Sequence, residues 1–312
     1  MGEGHGYGKT ILFGEHFVVY GLPAIACAIG AKTTAKVEAA GGPGVQLVDN
    51  RPETPGYKEG KKQEQKESVM NILRFCGTDP SRQGIRVTFG GDLVAASGIG
   101  ASAASCVALA RALNQEFRLG YVDERINEAA YEGEKGYHGT PSGIDNTVAT
   151  YGGVIWFQRT PGQQRAIIEK IRVREPIPIV IGNTGITSST SEVISEVRRV
   201  RDKDPDRFEE ILRSYSRIAQ EAREALRGYE LERLGRLMNE NQALLREIGV
   251  SCRELDELID AAAAHGALGA KLTGTGRGGL MIALTRLGES QKAVAEAIAG
   301  MGYTAWTTSI GV

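Results

Sequence analysis

Alternating apolar and polar positions dominate the first half of the chain, and helical spacing dominates the second. TILF, FVVYG, KTTAKVEA, GVQLV, IRVTFGG and TVATYGGVIWFQR read as strands, and ILFGEHFVVYG, alternating about Gly14-Glu15, predicts a β-hairpin. Residues 49–67, DNRPETPGYKEGKKQEQKE, are almost wholly polar and predict a mobile surface loop. Beyond PIPIVIGNTG, apolar residues from Phe208 through Tyr215 to Leu226 recur at threes and fours, and a second stripe runs from Leu231 to Ile248. These are two packed antiparallel helices broken at Gly228. AKLTGTGRGGLMIAL then reads as strand, glycine turn and strand, QKAVAEAIAGMG as a helix, and YTAWTTSIGV as a last strand. No repeat of fixed period is present. RTPGQQ breaks the pattern between residues 160 and 176, so the expected domains are 1–165 and 166–312.

With 312 residues, 41% of them hydrophobic, the chain is long enough for about two domains and should bury roughly three quarters of its unfolded surface. The 37 basic and 38 acidic residues leave no global field to favour nucleic acid or an anionic membrane, so small-molecule chemistry is the expectation. Cys27, Cys76, Cys106 and Cys252 are widely spaced and suggest neither a zinc site nor a disulfide framework. A reducing cytoplasm fits that usage. No apolar run approaches the ~20 residues of a membrane span, and the N-terminus lacks the organisation of a signal peptide.

The opening MGEGHGYGKT ends like a P-loop, but Glu3 stands where the motif needs glycine and a strand-like run follows where it needs a helix. Lys9 is therefore expected on or beside an N-terminal strand. The stretch Ser97-Gly98-Ile99-Gly100-Ala101-Ser102-Ala103 suits a phosphate better, because it follows IRVTFGG and runs into a helix whose first N–H groups are unsatisfied. A tight turn packed under a helix is the alternative. Gly274-Thr275-Gly276-Arg277-Gly278-Gly279 matches a dinucleotide pattern but is followed by a strand, which leaves a ligand-facing turn or an ordinary hairpin loop. GEKGYHGTPSGIDN supplies Glu134, Lys135, His138 and Asp145. Glu134 ends a helical run, and Pro141-Ser142-Gly143 presents Asp145 at the start of the next element, where it can be a base, a metal ligand or an N-cap.

GKTILFGEHFVVYGLPAIA, SGIGASAAS, PSGIDN followed by TYGG, KLTGTGRGG and the run MNENQALL stand in an order and spacing that resemble the GHMP kinase superfamily, which includes galactokinase and homoserine kinase, and within it the mevalonate kinase family. The likeness spans nearly the whole chain. It implies an α+β, two-domain fold, with an N-terminal domain like ribosomal protein S5 and a ferredoxin-like C-terminal domain, and ATP with Mg²⁺ in the cleft between them. Gly98, Gly100, Ala101, Ser102 and Ala103 would form the phosphate loop, and Ser102 and Glu134 would hold Mg²⁺. Asp145 would be the catalytic carboxylate with Lys9 as its partner. Glu15, His16, Thr187, Ser188, Gly274, Gly276 and Arg277 would face the substrate. A small-molecule substrate is implied, with neither nucleic acid nor membrane as partner, and a homodimer is a further expectation.

Four positions depart from the family pattern: Tyr7 and Val94 replace prolines, Ala101 replaces the first of two serines, and Arg277 replaces a glycine. Ala101 keeps its backbone N–H, whereas Arg277 puts a long cation where a small residue is expected. The implied reaction is phosphorylation of mevalonate by ATP. The alternatives are a relative acting on another hydroxy acid or a sugar, and a non-catalytic homologue that binds a metabolite.

Overall fold

The computed structural model describes residues 1–95, 98–159 and 166–312. Contacts divide the chain into two compact units, residues 1–9 with 28–152, and residues 10–27 with 153–312. Residues 160–165, at the expected domain boundary, and Ser97 of the glycine-rich stretch lie outside the described residues.

In the first unit, β1 (Gly2–Phe13) pairs with β2 (Ala24–Ala40), two strands that each continue into the second unit. Next come β3 (Val45–Asp49), a single turn α1 (Tyr57–Gly60), α2 (Lys62–Phe75) and β4 (Gly84–Gly91). β4 runs antiparallel to β2 and parallel to β3. Three helices follow, α3 (Ala101–Phe117), α4 (Asp123–His138) and α5 (Ile144–Tyr151). Val37, Ile72, Phe89, Val107 and Leu113 belong to the core shared by this sheet and α2, α3 and α4.

The alternate glycines of the opening stretch have a packing reason. A Cβ on Gly2, Gly4 or Gly6 would stand 2.2–2.3 Å from the carbonyl oxygens of Ala112, Ala108 and Ala104 respectively. Two strand residues advance about 6.8 Å and four helical residues about 6 Å, so alternate strand positions keep in step with successive helical turns, and their lack of side chains lets the two backbones touch. β1 thus lies directly on α3, and Lys9 is delivered beside the start of that helix, its N–H donating to the Ile99 carbonyl at 2.8 Å.

Three sequence expectations are corrected. The hairpin around Gly14-Glu15 is absent: FVVY forms a 3-10 turn, Phe17–Tyr20, ended by Gly21 at φ 80°, because Phe17 is held in the core, stacked on Tyr215 at 4.1 Å. Residues 49–67 are no mobile loop, since α1 and much of α2 lie there and Arg51 is buried with its guanidinium on Asp49. TVATY is helix, not strand. The Thr147 and Thr150 hydroxyls donate to the carbonyls of Gly143 and Asn146, one turn earlier, which reconciles β-branched residues with α5.

The second unit continues with β5 (Val154–Gln158), which pairs antiparallel with residues 24–27 of β2 and with β6 (Ile167–Ile171). After β7 (Ile177–Asn183) come α6 (Thr190–Lys203), α7 (Pro205–Gly228), α8 (Leu231–Glu247) and α9 (Arg253–Ala264). α7 opens on Asp204, whose carboxylate accepts from Arg207 N–H at 3.1 Å, with Pro205 as its first residue. Last come β8 (Gly269–Thr273), β9 (Leu280–Leu284), α10 (Glu289–Gly300) and β10 (Thr304–Ile310). Their antiparallel order, β10-β7-β9-β8, is ferredoxin-like. β8 ends this row, and α8 supplies its outer edge with partners: Asn239 Oδ1 accepts from Ala270 N–H at 2.9 Å and Gln242 Oε1 from Leu272 N–H at 3.0 Å. Gly235 makes that approach possible, since a Cβ there would meet the Leu268 carbonyl at 2.3 Å.

Candidate active site

In the first unit, Lys9, Ser102, Glu134 and Asp145 come together. Lys9 Nζ lies 3.0 Å from Asp145 Oδ1, with the lysine side chain 8% exposed and the carboxylate 30%. Asp145 sits in the first turn of α5, which starts at Gly143 with φ 86°, a conformation that glycine adopts without strain. Glu134 lies one turn inside α4 rather than at its end, 2% exposed. Burial first, then the charge of Asp145, push its carboxyl up to about 8, while Ser102, Lys9 and Cys106 oppose the rise. His138 lies 3.9 Å from Glu134, and burial holds it below the usual imidazole range.

Gly98 and Gly100 have φ of 92° and 70°, and Gly100 stands immediately before α3, whose first turn has no side-chain cap. The intrahelical ladder begins with Ala104 N–H on Gly100 C=O, so the N–H groups of Ala101, Ser102 and Ala103 precede it and suit an anion. Beside them, Arg51, Tyr57, Lys58, Lys61, Gln65 and Tyr137 line a small pocket with Ser102. Arg51 NH1 donates to the Ala101 carbonyl at 3.2 Å. These cations went unseen in the sequence because the segment that carries them reads as solvated loop; the one available signal was its run of four lysines, Lys58, Lys61, Lys62 and Lys66.

Among the described residues, no group of three or more His, Cys, Asp or Glu side chains converges on a metal position. The donor set nevertheless fits Mg²⁺ held jointly with phosphate oxygens, because a hydroxyl and a carboxylate are hard ligands and two carboxylates that repel each other favour a shared cation.

The remaining candidates belong to the second unit. Glu15 is enclosed against Lys271, with Nζ to Oε1 at 2.6 Å and side chains 1% and 0% exposed. Burial lowers the lysine from its ordinary value and Glu15 raises it. Sequence reading missed Lys271, a lone cation in an apolar strand whose partner is 256 residues away. His16, at φ 62°, makes a 2.7 Å hydrogen bond from Nε2 to the Thr275 carbonyl. Ser188 Oγ donates to the Gly276 carbonyl at 2.6 Å, and Thr187 is exposed beside it. Gly274 and Gly276 have φ of 86° and 80°, whereas Arg277 adopts φ 53° with a side chain. Its guanidinium pairs with Glu196 and bonds the Gly249 carbonyl at 3.0 Å.

Residues 66–153 match the N-terminal domain of GHMP kinases and residues 222–304 the C-terminal domain. The chain belongs to the GHMP kinase family. It is accordingly a phosphotransferase that uses ATP and an alcohol acceptor on a small molecule, with that family's two-domain mixed fold. Among its relatives, mevalonate kinase of Thermococcus sibiricus is 35% identical over 94% of this chain and 91% of its own. The mouse mevalonate kinase is 29% identical over 97% and 92%. A crystal structure of L. major mevalonate kinase in complex with R-mevalonate is 41% identical, covers 99% of this chain and 96% of its own, and superposes with a TM-score of 0.95. No helix among the described residues is long and apolar enough to cross a membrane.

Proposed function

We propose that this chain transfers the terminal phosphoryl group of ATP to the primary hydroxyl of mevalonate, giving 5-phosphomevalonate. The observation that carries the chemistry is the Lys9–Asp145 pair at 3.0 Å, held beside the uncapped start of α3. The acceptor rests on near full-length likeness to mevalonate kinases.

Asp145 would take the proton of the acceptor hydroxyl, and the Lys9 ammonium would offset negative charge developing on the oxygen. Backbone N–H groups of Ala101, Ser102 and Ala103 would hold the phosphates, with Lys58 and Lys61 adding charge nearby. Ser102 and Glu134 would hold Mg²⁺, whose chemistry when bound is to neutralise phosphate oxygens. His16, Thr187, Ser188 and the Gly274 and Gly276 turn are proposed as acceptor-binding groups. The proposed compartment is the cytoplasm, supported by four cysteines that are all free thiols.

The test is a coupled assay of purified protein with ATP and a panel of hydroxy acids and sugars; turnover of a sugar or another acid with mevalonate inert would overturn the acceptor assignment. Glu134→Gln should shift the Mg²⁺ titration of activity to higher concentration. Superimposable titrations would remove Glu134 from the metal site.

A further inference from the structure

Residues 10–16 and 271–275, far apart in sequence, are joined in the second unit by three successive polar links. Thr273 Oγ1 makes one at the end of β1: it lies 3.2 Å from Thr10 Oγ1, accepts from Ile11 N–H at 3.2 Å and donates to the Ile11 carbonyl at 2.9 Å. Lys271 Nζ makes the second, donating to Glu15 Oε1 and to the Leu272 carbonyl, each at 2.6 Å. His16 Nε2 makes the third on the Thr275 carbonyl.

The middle link is chemically odd. A lysine and a glutamate with side chains 0% and 1% exposed could be replaced by apolar residues of similar volume at little cost or with a gain in stability, so burial energy does not explain their presence. A charged pair does fix direction and distance, and its anchor here is firm: β8 is bonded to β9 on one edge and to the Asn239 and Gln242 amides of α8 on the other. What the pair holds, by contrast, is a turn lacking regular pairing, with Gly14 at φ 119° and His16 at φ 62°.

We propose that Lys271 and Glu15 are a positioning pair that fixes the His16 turn against the glycine turn at residues 274–279, so that Glu15 serves acceptor recognition through Lys271 and His16 and not by touching the acceptor. The proposal rests on the acceptor reading above. It assigns a role to Lys271, which carries no part in the chemistry.

The test compares wild type, Glu15→Gln, and the double variant Glu15→Gln/Lys271→Met, which removes both charges together and avoids leaving one of them buried alone. Steady-state kinetics with mevalonate and ATP are paired with amide hydrogen exchange. In the double variant the mevalonate KM should rise about 10-fold or more with the ATP KM within about 2-fold, and exchange should quicken at residues 14–17 and 274–279. Glu15→Gln alone still offers Lys271 an acceptor oxygen and should raise the mevalonate KM less. Equal effects of single and double variants would make the Glu15 charge itself the recognition element and overturn the proposal, as would an unchanged mevalonate KM in the double variant. Should the double variant not fold, Thr273→Val removes the neighbouring link and must raise the mevalonate KM selectively; failure to do so also overturns it. If wild type leaves mevalonate untouched, the acceptor reading falls, and the exchange data still decide whether the pair holds the turn.

Discussion

Asp145 and Lys9 are close enough that neither can be changed without altering the other. Asp145→Asn keeps the shape and removes both charge and proton acceptance, so kcat should fall by about 10²-fold or more while the KM for ATP changes little. Undiminished turnover would reduce Asp145 to a residue of the α5 first turn. His16 gives a second expectation at this scale. Burial holds its imidazole below the ordinary 6.5, and nearby Lys271 adds to the depression against the opposing Thr275 carbonyl. A folded-state value below the unfolded one means that the unfolded chain binds more protons, so this stability is fully present above pH 6.5 and is lost as pH falls through the folded value. His16→Asn should therefore flatten the loss of stability on going from pH 7.5 to 5 in urea titrations. An equally steep loss in the variant would show that other groups carry it. Asp145 was legible because a Pro-Ser-Gly turn announces it; Lys271 was not, because nothing local marks which strand lysine will find a carboxylate.

At the level of elements, the period of apolar positions was readable where one face of a long element is buried. α7 and α8 stand where the two stripes put them, with Gly228 closing the first. It failed where apolar residues serve a turn or where polar residues satisfy one another. Phe17 is buried by stacking and not by strand alternation, and residues 49–67 fold because Asp49 engages Arg51 and Gln65 while Lys58 bonds the Asp49 and Arg51 carbonyls. The glycines of β1 were read only against a P-loop, although their period of two was itself the sign of a strand with one bare face. That contact is testable. Gly6→Ala would drive a methyl into the Ala104 carbonyl and should cost about 1–3 kcal/mol, with lower kcat because Lys9 is three residues on. Gly41→Ala, which meets nothing within 4 Å, is the control and should change little. Equal stability of the two variants in denaturant titrations would show that β1 moves away from α3 at no cost.

For the molecule as a whole, near-neutral charge gives no field that would favour a polyanionic partner, and the two family domains narrow the reaction to ATP-dependent phosphorylation of an alcohol. The acceptor is decided by finer matters. Of the four departures from the family pattern, Arg277 is the one that puts a long cation into a turn expected to face the substrate. Its guanidinium is engaged by Glu196 and the Gly249 carbonyl, and the polar groups proposed to recognise the acceptor in that unit are those of His16, Thr187 and Ser188. A small branched hydroxy acid asks for a few hydroxyl and N–H donors at its carboxylate, whereas a sugar asks for several acidic or amide side chains matched to its hydroxyls. Glu15, the one acidic side chain proposed to face the substrate, is enclosed with Lys271. Each buried polar group left unmatched costs roughly 1–3 kcal/mol, so kcat/KM for mevalonate should exceed that for galactose or homoserine by at least about 10³. Competition assays with both acceptors present measure that ratio directly. A ratio near one would mean that neither these donors nor any other part of the chain discriminates between the acceptors, and would overturn the acceptor assignment.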